Sequence, residues 1–286
     1  MAAESAYVYS GLQRGTVYQL NAMGRPKAVN TSAYVGVDVY ATKAYNPTLP
    51  TTRKVPHVGN DRLLKTQIFA GQEAATAEFA VGCEDMDLIK MLGGLTIKEI
   101  AGMKMLPHLT DLQGKGVSVG VILAQAALSK ETSSPGYHFH FISKSKMVVR
   151  LAGAGEAPID IVYEMTINPS TKYLWGGALA PLADIYDPLS GVPETGAFEA
   201  GLFSGFCEYE PQIASFISGA STTEFLFPAS MPAVDAAKIA VFTAAAADEN
   251  AELVDLADYT PATTGVTFDI TPGTDAEVHI VYQKAP

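Results

Sequence analysis

Short runs of β-branched and aromatic residues recur along most of this 286-residue chain, and Gly, Pro, Asn or Ser bounds each run. The clearest run is residues 137–142 (YHFHFI), in which Tyr137, Phe139 and Phe141 occupy every second position. Alternation of this kind is typical of a strand with one buried face. Similar runs cover residues 14–20, 34–40, 76–81, 117–123 and 158–167. The pattern predicts a mainly β fold.

Only one segment has the features of a helix. Residues 84–92 (EDMDLIKML) carry acidic side chains in the first turn and Lys90 in the last, and Gly93 follows. This charge order suits the helix dipole, and glycine suits the residue after a helix. A helix this short needs tertiary packing, so we expect it to lie against a sheet. Residues 244–256 are rich in alanine and acidic residues, and we expect a loop or short helix there.

Residues 43–65 form a long segment without strand alternation. Its prolines, Pro47, Pro50 and Pro56, disfavour regular strand pairing, so the segment is predicted to be an irregular loop. A loop of this length in a compact domain is usually either functional or disordered, and the basic charge of this one favours a role in binding. The segment has a single acid, and we expect its basic residues to contact a neighbouring subunit: Lys43, Arg53, Lys54, Arg62 and Lys65.

The last part of the chain has its own strand pattern. Four short strands are predicted at residues 223–227, 238–243, 266–270 and 277–282, with turns between them. We therefore predict two domains. Residues 1–208 form a β-sandwich with the basic loop 43–65 and one flanking helix at 84–92, and residues 209–286 form a small acidic β-sandwich. Because this second unit is terminal and follows a completed core, we expect it to be self-contained and dispensable.

Charge is distributed unevenly between the two halves of the chain. Residues 1–150 contain 16 Lys/Arg and 11 Asp/Glu, whereas residues 151–286 contain 3 and 19, for a total net charge of −11. Nucleic-acid affinity depends on Lys and Arg that neutralise phosphates, so the acidic half is unsuited to that role. Opposite charges on the two halves favour head-to-tail docking between copies, although an acidic surface can equally serve solubility.

Residue patterns for chemistry are weak throughout. The sequence lacks a Gly-x-Ser-x-Gly nucleophile motif and a phosphate-binding loop, and Cys83 and Cys207 lie 124 residues apart without metal-site spacing. His138 and His140 could form a metal pair, but no third ligand lies nearby in sequence, and they equally fit the polar face of a strand. We therefore predict no catalytic, cofactor-binding or metal-binding residues, and a protein that is not an enzyme.

Several stretches, taken in order, resemble the tail tube (major tail) proteins of long-tailed, non-contractile bacteriophages. They cover much of residues 5–180: residues 11–26 (GLQRGTVYQLNAMGRP), 34–39 (YVGVDV), 57–64 (HVGNDRLL), 77–88 (AEFAVGCEDMDL) and 173–177 (YLWGG). The C-terminal stretches resemble a small Ig-like β module appended to phage virion proteins: residues 222–225 (TTEF), 257–260 (ADYT), 264–268 (TGVTF) and 278–282 (VHIVY).

The resemblance implies a structural virion protein that assembles in the host cytoplasm. Subunits of that family form rings, commonly of six, and the rings stack into a tube. The tube encloses the tape measure protein, joins terminator and distal tail proteins, and later conducts DNA during ejection without binding it specifically. No cofactor, catalytic residue or membrane contact is implied. The alternative is a β-rich adhesin or carbohydrate-binding virion protein, which would account for two β domains and the aromatic pair Tyr173 and Trp175.

Overall fold

A computed structural model describes residues 7–29, 32–40, 42–48, 53–59, 62–69, 75–81, 86–93, 98–105, 117–129, 135–150, 161–167, 202–245 and 252–286. These residues form a mainly β protein with antiparallel sheets and one α-helix, α1 (Met86–Gly93), which confirms the predicted fold class. The strands are β1 (Tyr7–Gln19), β2 (Val37–Tyr40), β3 (Thr42–Thr48), β4 (Arg53–Gly59), β5 (Arg62–Phe69), β6 (Ala75–Val81), β7 (Lys98–Ile100), β8 (Met103–Met105), β9 (Val117–Ser129), β10 (Pro135–Arg150), β11 (Ile161–Ile167), β12 (Leu202–Cys207), β13 (Glu210–Ile217), β14 (Glu224–Leu226), β15 (Ala240–Ala244), β16 (Glu252–Leu253), β17 (Tyr259–Ala262), β18 (Gly265–Phe268) and β19 (Glu277–Lys284).

The largest sheet has the strand order β2-β1-β9-β10-β11-β6-β3, and β12 also pairs with β10. Its two end strands are almost continuous in the chain, since β2 ends at Tyr40 and β3 begins at Thr42. Tyr40 pairs with Arg14 of β1, while Thr42 pairs with Val81 of β6. The sheet must therefore curl until its two ends meet. We call this curled sheet, together with α1, the barrel.

The barrel encloses one hydrophobic core. Phe79 and Tyr163 stack at its centre with ring centroids 4.8 Å apart, and Val121 from β9 is buried with them. Helix α1 adds Leu88 and Leu92 to the same cluster. The predicted packing of the short helix against a sheet is thus confirmed. The helix begins at Met86, and Glu84 and Asp85 lie outside the described residues.

A β-bulge in β10 changes which residues face the barrel core. The register of β10 against β9 shifts between Ile142 and Ser145, so Met147 and Val149 face the core. Before the bulge, Phe139 and Phe141 face the opposite side of the sheet, with Tyr137 partly buried beside them. The shared face predicted for these three aromatic residues is therefore confirmed, and it is the face that meets the C-terminal sheets.

The C-terminal residues form two sheets that pack face to face. One sheet has the order β13-β19-β15-β16 and the other β14-β18-β17. Their shared core contains the edge-to-face aromatic pairs Phe216–Phe225 and Phe225–Phe268, with centroids 5.3 and 5.6 Å apart. Two antiparallel sheets of four and three strands around one core make a β-sandwich. We call this unit the sandwich.

The prediction of an irregular loop at residues 43–65 is wrong for the described residues. Residues 42–48 form β3 of the barrel sheet, where Pro47 lies opposite Ala77. Strands β4 and β5 form a hairpin in which Pro56 lies opposite Thr66. Proline is excluded from central strands because it lacks a donor, but a strand with one unpaired side accommodates it. Both prolines occupy strands at the edge of their sheets.

One further predicted segment differs from the structure, and another lies outside the described residues. At residues 244–256, β15 ends at Ala244, β16 spans Glu252–Leu253, and a short 3-10 helix follows at Leu256–Asp258. The expected loop or short helix is thus partly replaced by a strand that pairs with β15. The connector at residues 183–200 and the aromatic pair Tyr173 and Trp175 lie outside the described residues.

Candidate functional site

The barrel and the sandwich meet at a shared hydrophobic cluster, which we call the junction. The barrel contributes residues from the outer face of its sheet and the sandwich contributes residues from β13, β15 and β19, all of them buried: Tyr18, Leu20, Ile122, Phe139, Phe141, Cys207, Ile213, Phe242 and Val281. Only two residues, Glu208 and Tyr209, separate the last strand of the barrel from the first strand of the sandwich. The junction therefore joins the two units over a continuous apolar surface.

Barrel residues also cover the edge of the sandwich. The backbones of Tyr34 and Ser215 exchange two hydrogen bonds of 2.9 Å, so the segment before β2 pairs with β13. The Tyr18 hydroxyl accepts hydrogen bonds from the Gln212 side chain at 3.1 Å and from the Ile213 backbone N–H at 3.2 Å. An uncovered edge strand would present unpaired backbone groups. Within the sandwich, β13 is such an edge, and barrel residues pair with the N–H and C=O of Ser215 and the N–H of Ile213.

An ionic cluster lies at one end of the junction. The turn after β1 holds Arg25 in place because the Asn21 side chain accepts the backbone N–H groups of Met23 and Arg25. The Arg25 side chain is fully buried, and its Nε donates to Glu277 at 2.5 Å. The Asn21 amide donates to the other Glu277 oxygen at 2.7 Å. Two groups of the barrel therefore bind one carboxylate of the sandwich.

The ionic cluster continues into the sandwich through His279. This fully buried ring lies 3.3 Å from Glu277 through Nε2 and 2.9 Å from the Ser215 hydroxyl through Nδ1. Burial lowers the pKa of His279, so the ring is neutral near neutral pH. Burial alone would raise the pKa of Glu277, but hydrogen bonds from His279 and Arg25 outweigh that effect and lower it. One negative and one positive charge thus balance within the cluster.

A second set of ion pairs ties the other end of the junction. Arg14 of β1 donates to Glu210 at 2.8 Å and also pairs with Asp38. Lys284 of β19 lies 3.1 Å from the same Glu210 carboxylate. Glu210 is therefore shared between a cation of the barrel and a cation of the sandwich. Paired charges of this kind fix orientation because either partner left alone would be costly.

These contacts show that the C-terminal unit, although it has its own core, also packs on the barrel. Its edge strand, a half-buried carboxylate and part of its apolar surface all contact barrel residues. The sequence gives no local signal for this arrangement, since Arg14 and Glu210 lie 196 positions apart and Arg25 and Glu277 lie 252 apart. Residue types alone could suggest that Arg25 pairs with an acid, but not with which one.

The predicted inter-subunit residues fall on three strands. Lys43 lies in β3 of the barrel sheet, Arg53 and Lys54 begin β4, and Arg62 and Lys65 lie in β5. The hairpin register pairs Arg53 with Phe69 and Gly59 with Arg62, so the basic residues are spread along the whole hairpin. Within the described residues, β4 and β5 pair with each other and with no further strand. Their contact with another subunit stays a prediction.

A second hairpin was missed by sequence reasoning. Strands β7 and β8 are joined by Ala101 and Gly102, which have φ values of +52° and +78°. A two-residue turn with positive φ matches the twist of a hairpin, and glycine at its second position is the signal that could have revealed it. The residues beside the turn, Ile100 and Met103, are 55% and 59% exposed. This tip offers apolar surface to solvent.

The histidine pair and one of the two cysteines that the sequence suggests as candidates for chemistry lie in β10 and β12 of the barrel. The rings of His138 and His140 lie 4.6 Å apart, and burial together with the charge of His138 lowers the pKa of His140 to about 4. Among the described residues, no three His, Cys, Asp or Glu side chains are grouped as metal ligands. Burial raises the pKa of Cys207 to about 12, which disfavours the reactive thiolate. Cys83 lies outside the described residues.

Comparison of the chain with models of known protein families gives no match, and comparison with curated protein sequences gives none. The described residues contain no helix with the length and hydropathy needed to cross a membrane.

Proposed function

We propose that this chain is a structural virion protein that polymerises into the tail tube of a long-tailed, non-contractile bacteriophage. Subunits form stacked rings, six to a ring, around the tape measure protein, and the finished tube conducts DNA. The partners are other copies of the chain and the proteins that begin and end the tube. This protein is not an enzyme, and it assembles in the host cytoplasm before it becomes part of the virion.

The observation that carries the proposal is the pair of hairpins that lack a covering sheet among the described residues. Strands β4 and β5, and likewise β7 and β8, form separate two-stranded sheets. A two-stranded sheet is marginal in water unless a third strand or an apolar surface supports it. Ile100 and Met103 further expose apolar surface at the second hairpin. A neighbouring subunit would supply the missing support to both hairpins.

Charge supplies a direction for the contact between subunits. The residues of β4 and β5 include Arg53, Lys54, Arg62 and Lys65 and no acid. The sandwich carries exposed acids on several loops and strands: Glu224, Asp235, Asp255, Asp258, Asp269 and Asp275. A contact between two different surfaces of the same chain closes into rings or continues as a filament. Opposite charges on those surfaces would favour this head-to-tail arrangement.

Charge reversal in the first hairpin tests the proposal. The double variant Arg53→Glu/Lys54→Glu should abolish tubes and rings in negative-stain micrographs of concentrated protein, while circular dichroism shows an unchanged fold. The control Lys27→Glu/Lys90→Glu makes the same charge change at two exposed residues outside the hairpin and should assemble normally. Wild-type tube yield from the first variant would remove the hairpin from assembly. Discrete particles from the unaltered protein at every salt concentration would instead favour the adhesin alternative.

A further inference from the structure

We propose that the ionic cluster of Arg25, Glu277 and His279 is a pH-sensitive latch that holds the sandwich against the barrel and loosens on acidification. The cluster joins the two units directly, since Arg25 belongs to the turn after β1 whereas Glu277 and His279 belong to β19. His279 lies on the face of β19 that also carries Val281 of the junction, whereas Val278 and Ile280 on the opposite face belong to the core of the sandwich. Loosening the cluster would therefore act on the junction before it melts either core.

The surroundings of His279 leave little room for a second positive charge. Among the described residues, Glu277 is the acid that contacts the ring, at 3.3 Å, and Arg25 and Asn21 from the barrel already bind this carboxylate. From β13, Ser215 contributes a neutral hydroxyl, and from β15 the apolar Phe242 lies opposite His279. The segment that pairs with Ser215 brings Tyr34, whose pKa is raised by burial, so it also stays neutral.

Protonation of His279 changes the charge balance of this closed site. The neutral ring and the Arg25–Glu277 pair make a site without net charge, whereas an imidazolium would add a buried positive charge close to Arg25. Burial of an uncompensated charge costs free energy, and the imidazolium can be solvated by water if the junction opens. Opening of the junction is therefore coupled to proton uptake.

The direction of the effect follows from the pKa of each group. Folding lowers the pKa of His279 below its ordinary value of 6.5, so its contribution to stability is complete above that pH and is lost as pH falls toward the folded pKa. Folding also lowers the pKa of Glu277 below its ordinary value of 4.5, so this carboxylate is ionised at mildly acidic pH. The latch thus responds first through His279, at mildly acidic pH.

Hydrogen exchange of the unassembled protein at about pH 8 and about pH 5, which bracket imidazole titration, tests the latch. The amides of Tyr34, Ser215 and Ile213 bond across the junction, whereas those of Val121 in β9 and Val266 in β18 lie inside the two cores. After correction for intrinsic rates, protection of the junction amides should fall more than protection of the core amides, by up to about 30-fold, which is the limit at pH 5 for a histidine that titrates at its ordinary pKa of 6.5 once the junction is open. Equal changes in both sets would overturn the proposal, and this measurement needs no variant.

A pair of histidine variants sharpens the assignment. Gln at position 279 can still bond to Ser215 and Glu277 but cannot titrate, so His279→Gln should remove the extra loss of protection at the junction. His140→Gln is the matched control, because His140 is also a histidine with a lowered pKa but lies in the barrel sheet opposite Leu123. Its junction amides should respond to acid as the wild type does. An unchanged response in His279→Gln, or a lost response in His140→Gln, would refute the latch.

Discussion

Replacement of Tyr18 by Phe would isolate the hydrogen bonds that fasten the edge of the sandwich to the barrel. The Tyr18 ring is fully buried, and its hydroxyl accepts from the Gln212 side chain at 3.1 Å and from the Ile213 N–H at 3.2 Å. The substitution keeps the ring but leaves two buried donors without this acceptor. Each such donor costs about 1–3 kcal/mol. Since relaxation recovers part of the cost, we expect a loss of about 2–4 kcal/mol in the free energy of unfolding.

Urea unfolding followed by circular dichroism measures this loss. An unchanged slope of the free energy of unfolding against urea concentration would show that the compactness of the native and unfolded states is preserved. Tyr40→Phe is the matched control because Tyr40 is 56% exposed and the hydrogen bonds between its hydroxyl and Arg14, at 3.4 Å, and Asp38, at 3.5 Å, lie at the surface. It should change stability by less than about 0.5 kcal/mol. A value equally small for Tyr18→Phe would refute the reasoning that these bonds fasten the two units.

Two further predictions concern the junction and the residue before β2. Truncation after Pro211 would uncover the side chains of the junction cluster that belong to the barrel, and loss of burial at four or more of them, at about 1.5–3 kcal/mol each, approaches the whole stability of a domain. We expect the truncated protein to be insoluble, as measured by its soluble yield, and a soluble, folded fragment would contradict this. Gly36→Ala should cost about 1–3 kcal/mol in a thermal unfolding experiment, because Gly36 has a φ of +76° and an added Cβ would lie 2.8 Å from the Val17 carbonyl oxygen. Gly11→Ala is the control, since a Cβ there meets no atom within 4 Å, and an equal loss in both variants would contradict the steric explanation.

Local patterns in the sequence were sufficient for elements whose side chains pack on one face. Residues 137–142 were predicted from period-two alternation, and Phe139 and Phe141 are buried together in the structure. The helix was predicted from its charge order and the glycine at its end, and Asp87 and Lys90 lie in its first and last turns. Such signals are readable because they depend on neighbours within a few residues. The same holds for the sandwich, in which β14, β15, β18 and β19 all overlap the predicted strands.

Strand pairing at residues 43–65 was not predictable by the same means. The prolines predict a break in strand pairing, but a proline prevents pairing only where both sides of a strand are paired. Whether β3 lies at the end of a sheet depends on β6 and β11, which come later in the chain. The junction was not predictable for a related reason. Tyr18 and Gln212 are 194 positions apart, and neither belongs to a recognisable motif. Edge position and long-range polar pairing are properties of the whole topology.

The junction also bears on how the sandwich would serve the proposed tube. The sandwich is fixed to the barrel by β13 pairing at Tyr34, by the shared carboxylates Glu210 and Glu277, and by a link of two residues after Cys207. Hydrogen bonds and ion pairs that are directional hold a unit in one orientation, unlike a flexible linker. Every ring of the proposed tube would then present the exposed acids of the sandwich at the same positions. A basic hairpin from a neighbouring subunit needs such a fixed counter-surface, so loosening the sandwich by acid would weaken ring contacts as well as the junction.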